Sequence, residues 1–255
     1  MNEQRLQTLP GFGSAGSLRV ITMNLQEVHV LPNASAGQLA GATQRNRVLR
    51  NTYWLLALSM VPTVLGAWVG VSTGIMASLG GGLSAILFLA GAFGFMFAIE
   101  KNKHSSTGVV LLLAFTFFMG LMLSRMLAMV LGFSNGASLV MTAFAGTAVV
   151  FIGMASLATV IKRDLSGMGK FLFVGALILL AAGIVNIFMQ STALMMTLSV
   201  LAIVVFSGFM LFDIKRVIDG GETNYISATL AIYLDIYNVF QSLLAILGIA
   251  GGERE

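Results

Sequence analysis

No cysteine occurs in the 255 residues, and proline occurs only three times. Without thiols there is no disulfide, no thiolate nucleophile and no cysteine-ligated metal. Charge is scarce as well. Asp, Glu, Lys and Arg make up 9% of the chain, against about 25% in soluble domains. So few charges cannot clothe a water-facing surface, which argues against an ordinary soluble domain. The two histidines, His29 and His104, are far apart and lack ligand spacing; both are expected at solvated or interfacial positions. No nucleotide-binding loop, metal cluster or serine–histidine constellation is present, so no catalytic residue, cofactor or metal is assigned. A net charge of +4 would suggest nucleic acid in a soluble protein. In a chain this apolar it reports loop charge instead, and no nucleic-acid partner is expected.

What the chain has in abundance is apolar sequence, 57% of it. Seven runs are each near the roughly 20 residues that a spanning helix needs. They cover 52–70, 82–99, 108–129, 138–160, 171–189, 194–217 and 225–248. Backbone groups in lipid must be satisfied within the segment, so the runs are predicted to be helices. No ten-residue alternation suggests a barrel. The fold class is therefore an all-α membrane protein with the lipid bilayer as its surroundings. Residues 1–50 are polar, weakly periodic and rich in Gly, Ser, Gln and Asn. They are expected to form a disordered tail, followed by a membrane domain over 51–250. They have no signal-peptide pattern. "MNLQEVHVLPNASAG", from Met23, reads like a natural start, which leaves open whether residues 1–22 are translated.

The connections alternate in charge. Arg5, Arg19, Arg45, Arg47 and Arg50 precede the first run. Lys101 and Lys103 follow the second, Lys162, Arg163 and Lys170 the fourth, and Lys215 and Arg216 the sixth. The other connections carry no basic residue. Twelve of fourteen basic residues thus fall on one side, which predicts a cytoplasmic N-terminus and an external C-terminus. Gly66, Gly70 and Gly74 repeat every four residues, as do Ala90 and Gly94. That spacing permits close helix approach, within one bundle or across a dimer. "GGG" at 80–82 reads as an external turn.

Two acids lie where acids are costly. Asp213 and Asp235 sit inside apolar runs, and an ionisable group at mid-bilayer costs at least about 2.5–3.5 kcal/mol on insertion scales. Helix six is expected to stop at Gly220-Gly221 and helix seven to start near Thr223 or Asn224. Asp213 then lies roughly 10 Å and Asp235 roughly 16 Å from those ends. Two antiparallel neighbours would bring the carboxyls together, able to share one proton or, when both are ionised, to hold a cation. Pairing of Asp213 with Lys215, Arg216 or Lys162 is the alternative. Asn238 and Ser242 follow Asp235 on one helical face, at i+3 and i+7. Tyr233 and Tyr237 flank it and are expected to pack or anchor at the interface. Arg125 is expected to snorkel to the outer interface. Asn186 and Gln190 are expected to hydrogen-bond between helices, with the lining of a cavity as the alternative.

Three stretches carry a resemblance. "VLRNTYWLLALS", "KRDLSGMGKFLFVG" and "GGETNYISATLAIYLDIYNVFQSLLAILG" resemble the Bax inhibitor-1 (TMBIM) family, over about residues 47–250. The resemblance implies a seven-helix fold in which six helices surround the last. It also implies that Asp213 and Asp235 are a pH-sensing, ion-gating pair, as in members that leak Ca²⁺. In those members a basic residue at the end of helix two pairs with the aspartates, and Lys101 or Lys103 stands there. The bacterial members that the chain resembles most imply a multi-pass inner-membrane protein that binds and restrains the membrane-bound protease FtsH. An intramembrane aspartyl protease is the third reading. It is disfavoured because "AIYL" precedes Asp235 where those enzymes resemble a "GxGD" pattern, so the chain is expected not to be an enzyme.

Overall fold

The computed structural model describes residues 14–79 and 81–252. Eight helices follow in order: α1 Ser14–Thr73, α2 Ile75–Ser78, α3 Gly81–Asn102, α4 Ser106–Leu131, α5 Gly136–Val160, α6 Met168–Met189, α7 Thr192–Ile218 and α8 Tyr225–Gly252. Seven are long and apolar enough to cross a membrane, α1 through its Gly41–Thr73 portion. The chain is an all-α multi-pass membrane protein. Every run predicted from sequence lies inside one of these helices. The helices overshoot the runs, because extending a formed helix into its polar flank costs less than ending it.

The N-terminal stretch differs from expectation. Residues 14–50 are helical and belong to α1, where the sequence predicts a disordered tail. Leu, Ala, Gln and Arg, all good helix formers, dominate residues 38–50, and they extend a helix already formed by the apolar run. Residues 1–13 lie outside the described residues, as does the side chain of His29. The chain divides into two units, Met1–Asn46 and Arg47–Glu255, and the second holds the bundle. The "GGG" stretch is also corrected in part, since Gly81 and Gly82 open α3.

Within the bundle α8 is the core. Half of its apolar window is buried, against 6% for α6. Ile226, Ile232, Tyr233 and Val239 of α8 pack with Leu55 and Leu56 of α1, Ile99 of α3, Leu112 and Phe115 of α4, Ala158 of α5 and Ile214 of α7. α8 carries Thr229, Asp235, Asn238 and Ser242, and in lipid it is the helix with polar side chains, not the uniformly apolar one, that needs protein around it. The outermost helix, α6, lies on α7, where Leu172 meets Gly208 and Phe212 meets Gly169. Large apolar side chains such as Trp54, Phe171 and Phe188 are exposed, and lipid is the solvent that tolerates them.

The glycine spacing on α1 is used inside the bundle. A Cβ on Gly66 would stand 2.1 Å from the Phe117 carbonyl oxygen, and one on Gly120 of α4 would stand 2.0 Å from that of Thr63. The two backbones therefore touch, as small residues allow. Gly74 does not continue the stripe; it ends α1 in the left-handed conformation, φ 64°. On α3, Ala90 and Gly94 are exposed. The turns after α3, α5 and α7 hold or adjoin all the basic residues from Lys101 to Arg216 except Arg125. That end is called the basic end below, and the other the uncharged end.

Candidate functional site

The helix ends that frame the site are built locally. After α7, Gly220 takes φ 80°, and the Gly221 and Glu222 N–H groups donate to the Arg216 carbonyl (2.8 and 3.2 Å). Glycine is favoured there because the left-handed turn crowds a Cβ. Asn224 opens α8. Its Oδ1 accepts from the Ile226 and Ser227 N–H groups (2.9 and 3.2 Å), satisfying two donors that a helix start leaves free. This six-residue connection turns α8 back against α7.

The return brings the two aspartates together. The carboxyls of Asp213 on α7 and Asp235 on α8 stand side by side. Asp213 is half-buried, Asp235 only 4% exposed. Its Oδ2 is enclosed and has no hydrogen-bond partner among the described residues. Two carboxyls can hydrogen-bond only if one carries a proton. The arrangement can hold a shared proton, or a cation once that proton leaves.

Of the cations proposed for Asp213, Lys162 is exposed and in no ion pair among the described residues, and the other two pair elsewhere. Lys215 Nζ donates to Asp219 (2.7 Å), and Arg216 pairs with Glu222 (3.2 Å). Lys103 pairs with Glu100, one turn away on α3, and Lys101 is exposed. Neither lysine forms an ion pair with the aspartates. A lysine near a helix end finds the nearest carboxylate at the wet edge more cheaply than a buried one. Asn238 and Ser242 share the Asp235 face, but the Asn238 carboxamide donates to its own helix at the Leu234 carbonyl (2.8 Å). Ser242 is buried.

Several polar side chains hold the helices around the pair. The Tyr233 hydroxyl meets Thr63 Oγ1 (2.9 Å) on α1, and the Tyr237 hydroxyl donates to the Met119 carbonyl (3.3 Å) on α4. Both rings are buried, so they pack in the core and are not interface anchors. At the basic end, Asn224 Nδ2 donates to the Lys103 carbonyl (2.8 Å) and Ser227 Oγ to Glu100 (3.1 Å). These bonds strap the α3–α4 turn to the start of α8. No sequence pattern pairs residues more than a hundred positions apart; the only legible signal was the capping propensity of Asn224. Asn186 and Gln190 do not bridge helices as expected. The Ser191 N–H donates to Asn186 Oδ1 (3.1 Å), and Gln190 takes φ 48° at the α6 end, so both serve the α6–α7 turn. A helix terminus with orphan groups draws the nearest polar side chain first.

A family model described as "Inhibitor of apoptosis-promoting Bax1" matches residues 45–252. Among individual proteins, an uncharacterised membrane protein of Vibrio cholerae is 39% identical, over 81% of this chain and 91% of its own length. A protein of Neisseria meningitidis serogroup A is 40% identical, over 84% and 96%. The Escherichia coli protein called "Modulator of FtsH protease YccA" is 38% identical, over 80% and 91%. The matched region takes in every membrane-spanning helix and both aspartates, and the chain therefore belongs to the Bax inhibitor-1 family.

Proposed function

We propose that the chain is a YccA-like modulator of FtsH in the bacterial inner membrane, acting by binding and not by catalysis. The supporting observation is the match to the E. coli modulator, which covers 91% of that protein and extends over the seven-span domain. Pull-down of the tagged chain from native membranes tests it. FtsH is expected in the eluate, and cells overproducing the chain should degrade an FtsH substrate more slowly. No FtsH in the eluate and an unchanged substrate lifetime would remove this reading. The positive-inside bias supports a cytoplasmic N-terminus in this membrane.

A second reading is a pH-gated leak for Ca²⁺ or H⁺. It is favoured by the meeting of Asp213 and Asp235 and by the unpartnered buried Oδ2. In proteoliposomes across about pH 5 to 8, dye-reported Ca²⁺ flux through wild type should depend on pH, and Asp235→Asn should lose most of that dependence. Equal profiles, or no flux from wild type, would leave the pair a structural one.

A further inference from the structure

Arg125 is the one basic residue of the described bundle that lies away from the basic end. It stands six residues before the end of α4 at Leu131, about 9 Å along the axis from the uncharged end. Its side chain is exposed, as snorkelling to the outer interface predicts. With Gln241 and Tyr237 of α8 it lines an open cavity of about 180 Å³, walled on the apolar side by Met76, Phe88 and Met122. The Tyr237 hydroxyl is committed to the Met119 carbonyl. The Arg125 guanidinium and the Gln241 carboxamide take part in none of the ion pairs or hydrogen bonds among the described residues.

The carboxylates described within the bundle are engaged away from Arg125. Glu100, Asp219 and Glu222 pair with lysine or arginine at the basic end. Asp164 is bonded to Ser166 in the α5–α6 turn, and Asp213 and Asp235 face one another. A guanidinium in a membrane-spanning helix is costly unless a counter-charge or water reaches it. Its planar fork matches an oxyanion with two parallel hydrogen bonds, and an amide beside it adds a further donor. The cavity is large enough for a phosphate group with its ester arms, and its apolar wall suits the first carbons attached to them.

We propose that the cavity between α2, α3, α4 and α8 is a binding site for a phosphate-type oxyanion, held by Arg125 and Gln241. The phosphate has two possible sources, the headgroup of an anionic phospholipid or free phosphate at the membrane surface. Two arms separate them. Native mass spectrometry of the protein, released from membranes containing phosphatidylglycerol and phosphatidylcholine, reads retained lipid. Thermal unfolding in phosphatidylcholine nanodiscs, with and without millimolar inorganic phosphate, reads the free ion. Wild type is expected to retain phosphatidylglycerol in preference, or to be stabilised by phosphate, and Arg125→Gln to lose that signal by about tenfold or more in affinity. Should Arg125→Gln not fold, Arg125→Lys carries the test, because it keeps the charge, loses the fork and should weaken binding several-fold. Wild type that neither prefers the anionic lipid nor responds to phosphate overturns the site. So does undiminished binding by whichever variant is measured.

Discussion

At the scale of single residues, one methyl group tests how α1 and α4 meet. In Gly120→Ala the new Cβ would fall 2.0 Å from the Thr63 carbonyl oxygen, and backbone cannot swing aside as a side chain can. Overpacking of this kind costs about 1–3 kcal/mol, so the melting temperature in detergent should fall by several degrees. Gly94→Ala is the control. Its Cβ meets nothing within 4 Å, and the change should be neutral or slightly stabilising. A large loss at Gly94, or none at Gly120, would contradict the packing described. The aspartates were legible at this scale because an acid in an apolar run stands out by cost alone. Arg125 stood out for the same reason, but its cavity partners on α8 did not. Nothing in the spacing of Tyr237 and Gln241 points to a residue of α4.

At the scale of elements, turns and caps decide which helices become neighbours. Asn224→Ala removes the cap from Ile226 and Ser227 and the bond to the Lys103 carbonyl. A lost cap typically costs about 1 kcal/mol. Hydrogen exchange should quicken in the first turn of α8 and in residues 103–105 together; quickening in α8 alone would deny the strap. The α5–α6 turn adds a pH dependence. The Ser166 hydroxyl and then its N–H hydrogen-bond to Asp164 Oδ1 (2.5 and 2.9 Å) and hold that carboxyl below its ordinary range. A carboxyl lowered on folding supports the turn above its unfolded value and ceases to as the pH drops through the folded one. The Ser166 amide nitrogen shift should therefore titrate with a midpoint below 3.8. A midpoint at or above that value would mean the bonds do not form in solution.

For the whole molecule, the charge bias makes a prediction that the absence of cysteine makes easy to check. Single cysteines can be placed at Gly167 in a turn of the basic end, at Asn135 in a turn of the uncharged end, and at Glu255. In spheroplasts, an impermeant maleimide should label positions 135 and 255 from outside and spare 167. Labelling of 167 would invert the bundle. Protection of 255 would remove the seventh crossing while leaving the other six intact.

The sequence by itself determined the class of the protein and its spans, because lipid leaves a polypeptide so few choices. A long apolar run must satisfy its own backbone, and helix is the local way to do so. It also determined the stop at Gly220-Gly221, a start near Thr223 or Asn224 and the two misplaced acids, all of which follow from a few adjacent residues. The tertiary structure decided where the lysines go, how the buried tyrosines are used and what stands opposite Arg125. It decided as well that the α1 glycines serve contact with α4. Those outcomes depend on which helix faces touch, and a face apolar almost all round, as most of these are, does not record its partner in its own pattern.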